Sequence, residues 1–203
     1  IMYLFETMKL ENGHIARLTF HKQRMSQSSN KLNIAFNELD WDRLIQSIQA
    51  EYSEGSYRLK VMLQEEGNFD YLVAPLTSKS HFTASLVREH ANTSHLMKIN
   101  KTSNREHVSY DLNTDLALIF DENGKILEFN IGNVMFKEND HYFTPHYNED
   151  FLLGCMRQSL IDEGCLQERD YYVDELIEKL KTKKVEVFLL NSLREVADVT
   201  IYL

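Results

Sequence analysis

The segment KTSNR, Lys101 to Arg105, sets a lysine directly ahead of a predicted helix. Ser103 is a favourable N-cap residue, and the residues from Ser103 to about Asn113 are predicted to be helical. Lys101 is therefore expected on a loop at the entrance of a helix. The chain contains 22 lysine and arginine residues, most of which are expected to be solvated surface charges. What Lys101 does must therefore be judged from the rest of the sequence.

Three further segments accompany KTSNR along the chain. They are HKQR at His21 to Arg24, EFNIGN at Glu128 to Asn133, and LLGCMRQ at Leu152 to Gln158. In this order the four segments resemble the fold-type IV pyridoxal-phosphate enzymes, the class that holds branched-chain and D-amino-acid aminotransferases and aminodeoxychorismate lyase. The resemblance spans nearly the whole chain. It implies a two-domain α+β fold of the D-amino-acid aminotransferase type, with a small N-terminal domain and a larger C-terminal domain.

The composition limits the range of functions. A chain of 203 residues that is 43% hydrophobic can bury a core in one large or two small domains. Its formal charge of −9 and pI near 5.4 argue against a nucleic-acid partner, because binding the phosphate backbone needs a basic face. The cysteines lack metal-ligand spacing, and the sequence has neither a signal pattern nor a long apolar run. We expect a reduced cytoplasmic protein with no metal site and no membrane partner.

Residues 1–76 are predicted to form the small α+β domain. Asn12-Gly13 lies between two alternating segments and predicts a β-hairpin from Met2 to Leu18. The other predicted elements are a helix capped by Thr19 that carries His21 and Arg24, a helix at 38–52, and strands at 57–64 and 69–74. The polar segment after Pro75 is suited to a linker.

Residues 81–203 are predicted to form the cofactor-binding domain, which is also α+β. A strand at 82–88 is followed by irregular chain at 90–100 and by the helix that begins at Ser103. A hairpin about Asn123-Gly124 joins strands at 116–121 and 125–130. The remaining predicted elements are a strand at 133–137, a short strand ending at Pro145, helices at 150–163 and 173–180, and strands at 185–190 and 199–203.

Pyridoxal phosphate needs an amine to bind it covalently, an acid partner for its pyridine nitrogen and a cup for its phosphate. Lys101 is the predicted amine, because KTSNR matches the K-x-x-N-R pattern of aminodeoxychorismate lyases residue by residue. Lys98 is the alternative, but it matches no family pattern. A surface role for Lys101 is the other interpretation.

Glu128 is the predicted partner of the pyridine nitrogen. In fold-type IV enzymes a glutamate is followed five residues later by an asparagine, and Glu128 with Asn133 has that spacing. A carboxylate beside the ring would hold its nitrogen protonated. Without the family match, Glu128 would be interpreted as an ordinary carboxylate at a strand end.

The predicted phosphate cup combines three parts of the chain. Cys155 and Met156 follow a glycine at a helix start, where backbone amides attract phosphate. The resemblance adds Ser192 and Leu193 of a late loop, and it adds Arg24, whose guanidinium suits phosphate oxygens. His21 is expected to pack or cap locally.

Some features depart from the family pattern and leave the substrate open. Only EEGNF lies between Gln64 and Asp70, where longer relatives carry a basic, glycine-rich loop that helps to receive substrate carboxylates. The sequence also begins only a few residues before LFETM. Thr7 falls where lyases carry a threonine near the cofactor, so it is a candidate proton donor, with strand packing as the alternative.

Three functions are compatible with these residues. The resemblance is strongest to a lyase that converts 4-amino-4-deoxychorismate to 4-aminobenzoate and pyruvate, a step of folate biosynthesis. The second is a class IV aminotransferase acting on branched-chain or D-amino acids. The third is a non-catalytic, pyridoxal-phosphate-binding relative, against which the presence of both Lys101 and Glu128 argues. The resemblance also implies a homodimer that acts on a small-molecule substrate.

Overall fold

Residues 2–203 are described by a computed structural model, and they form two units, each with its own sheet. The first unit consists of residues 2–78 together with Asn100–Asn104, and the second of Lys79–Ile99 together with Arg105–Leu203. The α+β fold class is confirmed. The sequence-based division into 1–76 and 81–203 assigned Asn100–Asn104 to the second domain. In the structure this segment belongs to the first unit, and Lys101 therefore lies in the first unit.

The first unit is built on an antiparallel sheet. Its strands are β1 (Leu4–Glu11), β2 (His14–Ile15), β3 (Ser56–Leu63) and β4 (Phe69–Pro75), in the spatial order β2-β1-β3-β4. The predicted hairpin is confirmed: Asn12 and Gly13 have φ angles of 49° and 75°, the left-handed pair that a tight two-residue turn requires.

Two helices cover one face of this sheet, α1 (Leu18–Lys31) and α2 (Glu38–Glu51). Strand β1 alternates, so that Leu4, Met8 and Leu10 are buried in a core shared with Trp41 and Ile45 of α2. The helix predicted to carry His21 and Arg24 is therefore confirmed, as is the second helix. This alternation also turns Glu6 towards the helices.

The predicted N-cap at Thr19 is wrong. Helix α1 begins one residue earlier, and its cap position is Arg17, which is left-handed at φ 59° and makes no side-chain capping bond. The His21 amide donates to the Arg17 carbonyl at 3.2 Å, so the first helical turn already closes before Thr19 could cap it.

The second unit is built on a mixed eight-stranded sheet. Its strands are β5 (His81–Arg88), β6 (Leu116–Phe120), β7 (Ile126–Phe129), β8 (Asn133–Glu138), β9 (His141–Thr144), β10 (Gln167–Glu168), β11 (Glu186–Asn191) and β12 (Glu195–Tyr202). They lie in the order β10-β9-β8-β11-β12-β5-β6-β7. Strand β5 runs parallel to both β6 and β12. The two-residue strand β10 was not predicted from the sequence.

Three helices belong to this unit, α3 (His95–Ile99), α4 (Cys155–Asp162) and α5 (Val173–Lys181). Helix α3 lies in a segment predicted to be irregular. Among the helices of residues 2–203, none is long and apolar enough to cross a membrane.

The helix predicted from Ser103 to Asn113 is wrong, because only a 3-10 turn forms there, at Glu106–Val108. Ser103 does not cap a helix. Its hydroxyl accepts a hydrogen bond from the Tyr3 amide at 3.0 Å, and its own amide donates to the Tyr3 carbonyl at 2.7 Å. Lys101 therefore does not lie at a helix entrance.

The start predicted for α4 is also wrong. Asp150 was expected to open this helix, but its Oδ2 accepts from Lys125 Nζ at 2.7 Å and its Oδ1 accepts from the Asn148 amide at 3.0 Å. Four residues of non-helical chain follow before the helix begins at Cys155. Gly154 becomes the N-cap, and Cys155 becomes the first helical residue.

Candidate active site

The backbone around Lys101 is fixed against the beginning of β1. The Phe5 amide donates to the Lys101 carbonyl at 3.0 Å, and Thr102 forms an antiparallel bridge with Leu4. The Lys101 ammonium lies 4.7 Å from the centre of the Phe5 ring, a cation–π distance. Because Phe5 and Glu6 point to opposite faces of β1, the amine lies beside the face that is turned away from α1 and α2.

Thr7 shares that face of β1 with Phe5 and is half-buried. Its direct cross-strand partner is Lys60 of β3, which sequence reasoning did not single out. Lys60 Nζ lies 4.7 Å from the Phe5 ring centre and donates to the Tyr3 hydroxyl at 3.1 Å. In the sequence, Lys60 stands out only as a lysine between the apolar residues Leu59 and Val61 of β3. The face of the sheet on which Lys60 lies follows from the register of β3 with β1.

Lys98, the alternative amine, lies in α3 of the second unit. Its Nζ donates to Glu89 Oε1 at 2.5 Å, and the lysine side chain is 18% exposed. The structure therefore gives the Lys98 side chain an ion-pair partner, Glu89.

Arg24 is anchored by Glu6. Arg24 Nε donates to Glu6 Oε2 at 3.0 Å, and Arg24 Nη2 donates to Glu6 Oε1 at 2.6 Å. The same Oε1 accepts from His21 Nδ1 at 2.6 Å. The expectation that His21 packs or caps locally misses this bond, because His21 is buried against a carboxylate that lies 15 residues away in the chain.

Glu6 remains ionised although it is buried. Burial raises the pKa of its carboxyl, but the Arg24 charge and the His21 hydrogen bond outweigh burial and hold the pKa at about 2. A carboxyl with a depressed pKa stabilises the fold above its ordinary pKa of 4.5, and this contribution is lost as the pH falls towards 2. Burial lowers the pKa of His21, opposed by the bond to Glu6.

In the second unit, Glu128 lies in β7 and is buried. Its Oε1 accepts a hydrogen bond from the Leu152 amide at 3.3 Å. Asn133, at the start of β8, binds the same segment twice: its Nδ2 donates to the Leu152 carbonyl at 2.9 Å, and its Oδ1 accepts from the Gly154 amide at 2.9 Å. Glu128 and Asn133, five residues apart in the sequence, therefore both bind the loop that contains Leu152.

Gly154 is the residue at which this loop becomes a helix. Its φ of −77° is open to any residue, but a Cβ here would lie 2.2 Å from Asn133 Oδ1. The first intrahelical bond runs from the Gln158 amide to the Gly154 carbonyl at 3.1 Å. The amides of Cys155 and Met156 therefore precede the first helical bond, as a helix-terminal anion site requires.

Ser192 and Leu193 lie in the turn between β11 and β12, and Ser192 is buried. Asn191 anchors this turn, since its Nδ2 donates to the Ile131 carbonyl at 3.1 Å and its Oδ1 accepts from the Arg194 amide at 2.7 Å. Ile131 belongs to the turn that joins Glu128 to Asn133. The late loop is therefore tied to the same turn as the predicted pyridine partner.

Replacing Gly154 with alanine is expected to destabilise the second unit by about 1 to 3 kcal/mol, because the new methyl group must displace Asn133. Thermal unfolding of the purified variant measures this loss. In an Asn133→Ala background the methyl group has room, so the same substitution should cost much less. An equal loss in both backgrounds would show that the Asn133 contact does not explain the glycine.

The predicted site residues fall into two groups. Lys101, Arg24 and Thr7 lie in the first unit, and the second unit brings together the other members: Glu128, Asn133, Cys155, Met156, Ser192 and Leu193. Glu6 and Lys60, which sequence analysis did not select, also lie beside the predicted residues of the first unit. The roles of all these residues towards a cofactor stay predictions.

Comparison with known proteins identifies the family. A family model described as "Amino-transferase class IV" matches residues 3–202. The chain belongs to the class IV aminotransferase family. A Schizosaccharomyces pombe protein described as a "Putative aminodeoxychorismate lyase" is 28% identical over 207 residues, which cover 95% of this chain and 87% of that protein. The class IV aminotransferases are enzymes, and the chain is accordingly an enzyme of this group.

Solved structures show the same fold. A Mesorhizobium loti protein described as a "Putative amino-acid aminotransferase" superposes with a TM-score of 0.86 at 23% identity over 100% of both chains. A hypothetical aminotransferase from Mycobacterium tuberculosis, in a form bound to pyridoxal phosphate, gives a TM-score of 0.81 at 16% identity over 98% of this chain and 81% of that chain. This member of the class IV aminotransferase family therefore has the fold-type IV architecture.

Proposed function

We propose that this protein is a homodimeric, pyridoxal-phosphate-dependent lyase that converts 4-amino-4-deoxychorismate to 4-aminobenzoate and pyruvate. The observation that carries the proposal is the likeness to the Schizosaccharomyces pombe protein across 95% of the chain, together with the K-x-x-N-R pattern at Lys101. The alternative is an aminotransferase, which the likeness to the Mesorhizobium loti protein over the full length of both chains favours.

The residues present fit the cofactor by their chemistry. A buried carboxylate at Glu128 suits a protonated ring nitrogen. A helix that begins at Cys155 suits a phosphate, because the backbone amides of its first turn can donate to phosphate oxygens. Lys101 supplies the amine, and Arg24 supplies a guanidinium for the phosphate oxygens. When bound, the cofactor supplies an electron-withdrawing ring that stabilises negative charge on the substrate carbon.

Three side chains of this chain then move or hold protons. Lys101 would hold the cofactor through its amine, and the same amine would take and return the proton at the substrate carbon. Glu128 holds the ring nitrogen protonated. Thr7, on the same face of β1 as Phe5, is the candidate donor of a proton to the departing pyruvate part.

The charges around Phe5 support an anionic substrate. Two ammonium groups, Lys60 and Lys101, each lie 4.7 Å from the centre of the Phe5 ring. Only Lys101 is assigned to the cofactor, so Lys60 supplies a positive charge for a carboxylate. Aminodeoxychorismate carries two carboxylates, which such a cation would attract.

Product analysis tests the proposal. Purified enzyme loaded with pyridoxal phosphate is incubated with aminodeoxychorismate alone, and pyruvate and 4-aminobenzoate are measured. The lyase releases both without a second substrate, whereas an aminotransferase needs an amino acceptor and follows ping-pong kinetics. Turnover that appears only after a keto acid is added would overturn the lyase assignment and establish the alternative.

Replacing Arg24 with alanine is expected to weaken cofactor binding far more than it slows the chemistry. A charge-assisted bond to phosphate contributes about 1.5 to 3 kcal/mol, which corresponds to roughly a 10- to 100-fold loss of affinity. Titration of the apoenzyme with pyridoxal phosphate measures the dissociation constant. The matched control is Arg43→Ala, which removes an exposed arginine from the neighbouring helix α2. If both variants bind like the parent protein, Arg24 does not hold the phosphate.

A further inference from the structure

We propose that Glu6 is the positioning residue of Arg24, and that its carboxylate sets the direction from which the guanidinium meets a phosphate. This inference rests on the proposed function, since it takes Arg24 to bind the cofactor phosphate. It concerns a residue of β1 that has no part in the sequence-based site. It is carried by the geometry of three side chains in the first unit: Glu6, His21 and Arg24.

The Glu6 carboxylate contacts the Nε–Nη2 edge of the Arg24 guanidinium. Glu6 Oε2 accepts from Arg24 Nε at 3.0 Å while Glu6 Oε1 accepts from Arg24 Nη2 at 2.6 Å. A guanidinium is planar and carries five N–H donors in a fixed arrangement. A carboxylate along the Nε–Nη2 edge therefore fixes the plane of the group and aims the Nη1 nitrogen away from Glu6. Orientation, and not charge alone, is what this contact determines.

His21 fixes the carboxylate in turn. Its Nδ1 lies 2.6 Å from the same Oε1 that receives Arg24 Nη2. An ionised carboxylate only accepts hydrogen bonds, so Nδ1 carries the proton that it donates. With donors on both of its oxygens, the carboxylate cannot rotate without breaking a bond. The contact between Glu6 and His21 is buried, because each of these residues is 1% exposed.

The spacing H-x-x-R follows from this arrangement. Residues three apart on a helix lie on the same face, so His21 and Arg24 of α1 both reach one side chain of β1. The alternation of β1 places Glu6 on the face that is covered by α1. Within the first unit, the H-x-x-R spacing of HKQR therefore allows His21 and Arg24 to bind the same carboxylate, that of Glu6.

Glu6→Gln separates orientation from charge. Glutamine keeps the shape, but one of its two terminal atoms is an NH₂ donor. If its oxygen keeps His21 and Arg24 Nη2, the NH₂ faces Arg24 Nε, and the two donors repel. The guanidinium must then turn, and we expect phosphate affinity to fall about tenfold. If charge alone mattered, removing a carboxylate beside Arg24 would strengthen phosphate binding, so the two explanations predict opposite signs.

The experiment uses the apoprotein and a double-mutant cycle. Parent protein, Glu6→Gln, Arg24→Ala and the double variant are each titrated with pyridoxal phosphate and, separately, with inorganic phosphate. The expected result is an affinity about tenfold weaker for Glu6→Gln and no further loss when Arg24 is already alanine. Glu11→Gln, at the exposed end of β1, is the matched control and should bind like the parent.

A second readout does not depend on the cofactor. In the apoprotein, the Arg24 Nε–H resonance should show protection from exchange in the parent and lose it in Glu6→Gln, while thermal unfolding reports whether the variant folds. If Glu6→Gln does not fold, Glu6→Asp replaces it, since the shorter acid keeps the charge but draws the carboxylate back from Arg24 and His21 by one methylene. Glu6→Asp should likewise bind phosphate more weakly.

Unchanged or tighter phosphate binding by the folded Glu6 variant would overturn the inference. So would an equal loss in the Arg24→Ala background, because Glu6 would then act without Arg24. An Arg24→Ala protein that binds phosphate like the parent would overturn it together with the proposed role of Arg24. A protein that shows the expected coupling but releases no pyruvate from aminodeoxychorismate would refute the lyase assignment only.

Discussion

Lys101→Ala is expected to abolish covalent attachment of pyridoxal phosphate and to remove activity almost completely. One amine must both bind the cofactor and transfer the proton at the substrate carbon, and loss of the proton transfer alone costs roughly 10²- to 10⁴-fold in rate. The Lys101 backbone is held by the Phe5 amide, and its ammonium lies beside the Phe5 ring.

Borohydride reduction followed by peptide mapping measures the effect. The reduced pyridoxyl group should be found on the Lys101 peptide of the parent protein and be missing from Lys101→Ala. The matched control is Lys98→Ala, which removes the partner of Glu89 and should keep the adduct and most of the activity. A pyridoxyl group on a Lys98 peptide of the parent protein would contradict the assignment.

Glu128→Gln is expected to retain the cofactor and to slow turnover sharply. A neutral amide cannot hold the ring nitrogen protonated, so negative charge on the substrate carbon is stabilised less well. Loss of such an electrostatic contact costs roughly 10²- to 10³-fold in rate. The fold of the site should survive, since the glutamine oxygen can still accept the hydrogen bond that the Leu152 amide donates to Glu128.

The size of this defect carries further information. Expelling pyruvate and gaining an aromatic ring supply a driving force that a transaminase lacks, so the defect should be milder if the protein is a lyase. Single-turnover rates are measured with aminodeoxychorismate and with an amino-acid and keto-acid pair. Glu122→Gln, in the exposed turn of the same hairpin, is the control. A Glu128→Gln enzyme as fast as the parent would leave Glu128 as an ordinary strand-end carboxylate.

Local patterns predicted most elements of both units. Asn12-Gly13 and Asn123-Gly124 mark the two hairpins, in which Asn12, Gly13 and Gly124 are left-handed. Few residues other than glycine and asparagine adopt this conformation without strain. The apolar spacing of α2 likewise gave its buried face, with Trp41, Ile45 and Ile48. Signals of this kind depend on residues close together in the chain, so they can be read without the tertiary structure.

Two wrong helix predictions have a common cause. Ser103 has the chemistry of a cap, but its hydroxyl and amide bind Tyr3, which lies 100 residues away. Asp150 has the same chemistry, and its carboxylate is bound by Lys125, 25 residues away. A capping residue has only a few hydrogen bonds to make, and a distant partner can claim them. Helix propensity depends on the local sequence, so it does not account for hydrogen bonds to partners that are distant in the chain.

By itself the sequence determined the family pattern: the lysine in K-x-x-N-R, the glutamate with its asparagine, the arginine in HKQR and the glycine before α4. What these side chains hold was decided only by the tertiary structure. Asn133 clamps the loop before Gly154, and Glu6 meets His21 and Arg24. The physical reason is that hydrogen bonds and ion pairs depend on distance in space, and strand register brings together residues that no local pattern relates.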